Sequence, residues 1–245
     1  MRRSSFQRSC SFFDIDGTLL KGLIIQSFPH FLADKGFIET TYPNKIDKII
    51  SDYNSRKASY REAAEAVPSL YASALKGKRI NDVKNWARKF IKIYLPEHIF
   101  PYSKQLVHHV GNLVDVTIAI SGSPLEVVEE LKEMGFNMTY GSLFEEKLGV
   151  YTGRVIANLI LGEEKAEFAR KICKELNVSL SRSIAFGNTD QDEPLLSMVG
   201  LPIAINPNKQ LQEICISKGW RSLDKEGLKD LKKIIWWLKT LNKST

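Results

Sequence analysis

The feature that most limits what this chain can fold into is a set of four short apolar runs, each almost uninterrupted. They are SFFDI at 11–15, VTIAIS at 116–121, SIAF at 183–186 and PIAI at 202–205. An alternating run would leave one face of a strand in water, whereas a continuous run of this length suits a strand covered on both faces, as in a parallel sheet. Helical patterns fall between the runs, near 103–113, 124–134, 163–176 and 207–218. Strands alternating with helices predict an α/β fold, a doubly wound and mainly parallel sheet with helices on both sides. An apolar content of 43% is enough to fill such a core.

One gap in this rhythm is too long. About 100 residues separate DIDGT from VTIAIS, where a crossover unit needs about 30. The surplus reads as helical. Ser59 and Glu62 form a capping box that opens a helix running to about residue 76, and Pro68 is expected to kink it. In 80–95, Ile80, Val83, Trp86, Ala87, Phe90, Ile91, Tyr94 and Leu95 share one helical face. The expected organisation is a core domain of residues 1–21 and 100–245, with a helical insert at 22–99. Short extended runs around glycines in SLFEEKLGVYTGRVI, 142–156, predict a hairpin.

The net charge of +7 is carried by the ends: residues 1–10 hold +3 and residues 218–245 hold +5, so the body is nearly neutral. A nucleic-acid footprint across the body is therefore not expected. No apolar run reaches the length of a membrane span, and MRRSSFQRSC has no apolar stretch of the signal-peptide kind. A cytoplasmic location is the expectation. Cys10, Cys173 and Cys215 are odd in number and widely spaced, so neither disulfides nor a cysteine zinc site are expected.

The chemically capable residues gather at strand ends. Asp14 and Asp16 close the first predicted strand, Ser121 the second, and Asn188, Asp190 and Asp192 follow the third. Ligands of open α/β sheets bind beyond the carboxyl ends of the strands. Oxygen-rich acidic clusters suit Mg²⁺, which takes one or two carboxylates together with water and phosphate. SGS before a helix offers a hydroxyl and backbone N–H groups to an anion, and a nearby lysine would balance phosphate charge.

With these motifs in order, the chain resembles the haloacid dehalogenase (HAD) superfamily, in its phosphoserine-phosphatase-like branch with a helical cap inserted after the first motif (subfamily IB). DIDGT resembles the nucleophile motif and ISGSP the serine motif. LGVYTGRV with LGEEKA resembles the hairpin and lysine region, and GNTDQDEPLL the acidic motif. The resemblance implies a Mg²⁺-dependent phosphomonoester hydrolase acting on a small phosphorylated metabolite through an aspartyl-phosphate. Asp14 would be the nucleophile and Asp16 the acid/base, with Thr18 orienting Asp16. Ser121 and the Gly122 N–H would hold phosphoryl oxygens, and Lys165 would neutralise charge on substrate and nucleophile. Asp14, Asp16, Asn188 and Asp192 would surround the metal.

Two departures from the family pattern matter. Asn188 stands where the family usually has an aspartate ligand. Leu23 and Glu65 stand where phosphoserine-specific members carry a glutamate and an arginine. Two alternatives therefore stay open: a phosphoserine phosphatase proper, and a catalytically weakened phospholigand-binding or regulatory protein. Blander readings exist for single residues: a turn pair for Asp14 and Asp16, a helix N-cap for Ser121, a surface position for Lys165. We favour the catalytic roles for these, and a solvated loop role for Asp190. His30, His98, His108 and His109 lack ligand spacing, and Trp86 and Tyr94 read as core of the insert. Finally, GLKDLKKIIWWLKTLNKST reads as an amphipathic helix with Trp236 on its lysine face. Docking on the core is the favoured reading, and contact with a membrane surface the sharper one.

Overall fold

The structure, a computed structural model, describes residues 8–224; the expected C-terminal helix lies outside them. Seven strands form one sheet in the order β4-β3-β2-β1-β5-β6-β7. The central strands are β1 (Cys10–Phe13), β2 (Val116–Pro124), β5 (Ile184–Gly187) and β6 (Leu201–Ile205), all parallel to their neighbours, so the four apolar runs are the sheet interior as expected. β3 (Met138–Lys147) extends the sheet in parallel beside β2, and β7 (Arg221–Leu223) does so beside β6. β4 (Val150–Ala157) pairs antiparallel with β3, which makes the predicted hairpin. Its turn, Leu148-Gly149, has φ of +52° and +78°, the left-handed pair that matches strand twist in a two-residue connection.

Successive strand side chains point to opposite faces. Phe12, Val116, Ile118 and Ile120 face α7 (Gly162–Glu175), α8 (Glu193–Leu196) and α9 (Lys209–Lys218), packing against Ala169, Ile172, Leu195 and Leu211. Phe13, Ala119, Phe186 and Ile203 face the other way, toward α5 (Ser103–Gly111) and the helices of the insert. Phe13 and Phe186 stack at 4.4 Å across neighbouring strands. The three cysteines are buried and free.

The long gap holds four helices: α1 (Ile24–Asp34), α2 (Thr41–Asn54), α3 (Tyr60–Leu75) and α4 (Ile80–His98). The capping box forms as read, with Ser59 Oγ accepting from the Glu62 N–H and the Glu62 carboxylate from the Ser59 N–H. α3 continues through Pro68. On α4, Val83, Ala87, Phe90, Ile91 and Tyr94 are buried, while Ile80, Trp86 and Leu95 pack at the cluster's edge. The segment after β2 is less helical than expected: α6 is one short turn, Leu125–Val128, followed by a 3₁₀ stretch over Glu129–Met134. No helix among the described residues is long and apolar enough to cross a membrane.

Candidate active site

β1 hands its carboxyl end to a tight turn. The Ile15 carbonyl accepts from the N–H groups of Thr18, Leu19 and Leu20, and the Asp14 N–H donates to Phe186 on the adjacent strand. Gly17 sits at φ +86°, and a Cβ there would fall 2.1 Å from the Asn188 side chain. Only glycine meets both demands. The turn is moored from behind: Tyr102 donates its hydroxyl proton to the Thr18 carbonyl at 2.7 Å, and Ser103 donates to that of Leu19 at 2.7 Å.

This geometry buries Asp14 at 5% exposure beside Lys165, also 5% exposed, in the first turn of α7. Lys165 Nζ donates to Asp14 Oδ1 at 2.8 Å and to Asp192 Oδ1 at 2.9 Å. Thr18 Oγ1 lies 2.9 Å from Asp14 Oδ2 and 3.2 Å from Asn188 Oδ1; its single proton goes to the closer, charged acceptor. Asp192 is 2% exposed, and its other oxygen accepts from the N–H groups of Asn188 and Thr189 at 3.0 and 3.1 Å.

Asp16 points elsewhere. Its Oδ1 accepts from the Ile24 N–H at 2.8 Å, at the start of α1. Its Oδ2 accepts from Ser121 Oγ at 2.9 Å and Ser123 Oγ at 2.7 Å. Because β2 runs on through residue 124, Ser121 and Ser123 share a strand face and reach the same oxygen. The Ser121 proton is thus committed to Asp16, and the residue is fully buried behind the site. Ser121 is not a helix N-cap: Pro124 holds that position. Gly122 and Ser123 do line the cavity in front, where a Cβ on residue 122 would meet Ile160 at 2.7 Å.

The electrostatics follow from crowding. Burial pushes the Asp14 carboxyl up to about 7; Lys165 pulls it down, while Asp192 and Asp16 push it further up. Burial likewise raises Asp16, against the hydrogen bonds from Ile24, Ser123 and Ser121. For Lys165, burial disfavours the charge, but Asp14 and Asp192 outweigh it and hold the ammonium on. Two carboxylates therefore share the Lys165 ammonium, with the Asp16 carboxyl close enough to feel both charges.

A cavity of about 360 Å³ opens over these groups, with Asp14, Asp16, Lys165, Asn188 and Asp192 on its core side and α1, α2 and α3 opposite. Among the described residues no group of three or more His, Cys, Asp or Glu is arranged to hold a metal ion. A Mg²⁺ ion does not need such a cage, since phosphate and water supply several of its oxygens. The donors present fit it: the excess of carboxylate over lysine wants positive charge, and Asp14, Asp16 and Asn188 offer oxygens on the cavity wall.

The structure thus brings Asp14, Asp16, Thr18, Gly122, Lys165, Asn188 and Asp192 together, with Ser121 one layer behind. Asp190 lies at the rim, its Oδ1 accepting from Asn208 Nδ2 at 2.7 Å. The histidines stay outside: His30 pairs with Asp47 at 2.7 Å and His98 with the Tyr94 carbonyl at 2.9 Å. Trp86 and Tyr94 do not line the cavity. Ser123, Tyr102, Ser103 and Asn208 were not anticipated. The SGS repeat at strand period signalled the first; nothing local signals the rest.

The profile of the haloacid dehalogenase-like hydrolases matches residues 11–197. A histidinol-phosphatase of Neisseria meningitidis is 25% identical over 223 residues, 89% of this chain and 99% of that one. Phosphoserine phosphatase SerB1 of Mycobacterium tuberculosis is 23% identical over 220 residues, 88% of this chain and 70% of that one. A solved phospho-aspartyl intermediate analogue of phosphoserine phosphatase superposes with a TM-score of 0.59 at 21% identity, covering 84% of this chain and 90% of that one. The chain belongs to the haloacid dehalogenase-like hydrolases.

Proposed function

We propose that the protein is a Mg²⁺-dependent phosphomonoester hydrolase that works through an aspartyl-phosphate on Asp14. The family and its phosphatase-named relatives make it a phosphatase. The observation that carries the finer reading is the buried Asp14–Lys165–Asp192 cluster on the cavity floor.

Asp14 is the nucleophile, held in orientation by Thr18 and Lys165. Its oxygen bonds to phosphorus as the P–O bond to the leaving alcohol breaks, and Asp16 gives its proton to that alcohol. The raised Asp16 carboxyl suits a group that must start protonated. In the second half, Asp16 takes a proton from water, whose oxygen attacks phosphorus and releases Asp14 and inorganic phosphate. Ser121, Ser123 and the Ile24 N–H fix Asp16 for both transfers. Gly122 and Ser123 line the wall where phosphoryl oxygens would lie, and Lys165 offsets their charge. Bound Mg²⁺, held by Asp14, the Asp16 backbone carbonyl and the Asn188 side chain, would neutralise the phosphate and keep Asp14 ionised. Asp192 acts by fixing Lys165 and the Asn188 turn. The helices at 22–99 form a cap over a small phosphorylated metabolite and exclude water from the transfer.

The names of its relatives favour phosphoserine as a second reading, and Asn188 favours a weakened, phospholigand-binding one. Phosphate release across a panel of phosphorylated metabolites, with and without Mg²⁺, separates them. The reading expects Mg²⁺-dependent release that Asp14→Asn abolishes. Release by Asp14→Asn at the wild-type rate refutes the nucleophile, and release from no substrate leaves the binding protein.

A further inference from the structure

Every Asp, Glu, Lys, Arg or His among the described lining residues belongs to the core side: Asp14, Asp16, Lys165, Asp190 and Asp192. The helical insert contributes ten lining residues among those described, none of them of these types. Among the described lining residues the cation is Lys165, which already donates to two carboxylates. At the rim, Asp190 accepts from Asn208 on one oxygen and from Gln191 on the other, at 2.7 and 2.8 Å. Among the described residues, a substrate carboxylate would therefore find no lining cation besides Lys165, and an ammonium no lining carboxylate on the insert. Desolvating either charge without a partner is unfavourable.

What the insert does offer is apolar and flat. Leu23 and Tyr53, each 40% exposed, are large apolar side chains left open to this cavity. Ile50 and Val67 line the wall between them and the helices. Tyr53 closes the last turn of α2 and Tyr60 opens α3; their rings meet edge to face at 5.7 Å. Tyr60 is pinned from the far side, donating its hydroxyl to the Ile160 carbonyl of the core at 2.7 Å. Asn158 donates to the Ala64 carbonyl of α3 at 2.8 Å beside it. These two bonds tie the start of α3, and with it the Tyr60 ring that Tyr53 packs against, to the core. Such a pre-set ring loses little freedom on binding.

We infer that the leaving group of the substrate is an uncharged alcohol with an apolar, flat face, seated on Tyr53 and Tyr60, and that zwitterionic O-phosphoserine is a poor substrate. The inference rests on the phosphomonoester-hydrolase reading above and specifies its substrate class. Tyr53 is its specificity-determining residue.

The test compares kcat/KM for benzyl phosphate, ethyl phosphate, O-phosphoserine and choline phosphate at saturating Mg²⁺, in wild type, Tyr53→Ala and Tyr53→Phe. All four release alkyl alcohols, so the comparison reads binding rather than an activated leaving group. Benzyl phosphate should exceed O-phosphoserine by about tenfold or more. Tyr53→Ala should lower the benzyl-to-ethyl ratio by about three- to tenfold, mainly through KM, which an aromatic contact of ordinary strength supplies. Tyr53→Phe should keep the ratio, since the ring face and not the hydroxyl is used. A higher kcat/KM for O-phosphoserine or choline phosphate, or an unchanged ratio in Tyr53→Ala, overturns this inference and leaves the phosphatase standing. Phosphate release from none of the four, in the presence of Mg²⁺, overturns both.

Discussion

Asp14→Asn should stabilise the fold while removing its activity. In the native state burial holds the Asp14 carboxyl up at about 7, against an ordinary value of 3.8. A raised carboxyl means that the folded protein keeps a proton which the unfolded chain has already lost. Stability therefore falls as pH climbs from about 4 to about 7 and is flat above that, as far as this group is concerned. Between pH 5 and pH 8 the penalty spans about 2 pH units, at about 1.4 kcal/mol each, or about 2–3 kcal/mol. An asparagine has no proton to lose and escapes it. The loss of the Asp14 carboxylate as a partner of Lys165 needs no separate allowance, because the pull of Lys165 is among the causes that set the Asp14 value. The informative quantity is then the change in the stability difference between the two pH values. Urea unfolding of wild type and Asp14→Asn at pH 5 and pH 8, both with EDTA, measures it. The variant should gain about 2–3 kcal/mol on wild type between pH 5 and pH 8. In thermal melts of a chain this size that is about 5–10 °C. A difference that does not move with pH, or moves the other way, refutes the burial argument for Asp14. Adding Mg²⁺ should then recover part of the wild-type loss, as a ligand of the native state does.

Asp16→Asn should slow turnover by about 10²-fold or more, since the amide neither gives nor takes the proton; steady-state kinetics with an alkyl phosphate checks this, and an unchanged kcat excludes Asp16 as acid/base. Asn188→Asp should shift the Mg²⁺ midpoint of activity to lower concentration by placing a carboxylate beside Thr18 and Asp14; an unchanged or higher midpoint means residue 188 is not a ligand. Tyr71→Phe should be neutral or stabilise by about 1 kcal/mol, because the Tyr71 hydroxyl is fully buried with no hydrogen-bond partner among the described residues; a loss above about 1 kcal/mol in urea unfolding would show that the hydroxyl is satisfied after all.

The sheet was legible because its central strands are covered on both faces, which leaves a continuous apolar run in the sequence. Where that condition fails, so does the reading. β7 is three residues, Arg221–Leu223, with only Leu223 buried, and no run marks it. α2 fully buries only Pro43 and Ile46; Tyr42, Ile49 and Ile50 continue its apolar stripe but are only half-buried, and the sequence reading does not single the segment out. The segment 125–134 carries a helical pattern but holds it as one α turn and a 3₁₀ stretch, ended by Gly135 at φ +109°. In the site, the residue types were readable and their partners were not. SGS before a helix and the family resemblance put Ser121 at phosphate; in the structure its hydroxyl donates to Asp16, 105 residues earlier in the chain. The link from Lys165 to Asp192 spans 27 residues across a crossover, and only tertiary packing reveals it. The mooring of the nucleophile turn by Tyr102 and Ser103 is of the same kind, 84 residues distant.

The hydrogen bond from the Ile24 amide to Asp16 bears on how this protein could be recombined with its relatives. The over-long gap after DIDGT places the start of the insert near residue 22, and a chimera built by exchanging 22–99 would cut just upstream of Ile24. The donor helix would then have to present its first amide at the same point in space, or the carboxylate would turn toward another donor. Residues 17–23 act as a spacer of fixed length between the two. Adding or deleting one residue in this non-helical turn shifts the start of α1, and with it the Ile24 amide, relative to Asp16. Grafts that keep Gly17 through Ile24 intact and replace only residues beyond Ile24 should exchange the roof of the cavity and leave its floor undisturbed. Grafts joined at 22 carry the length of the incoming spacer into the acid/base itself.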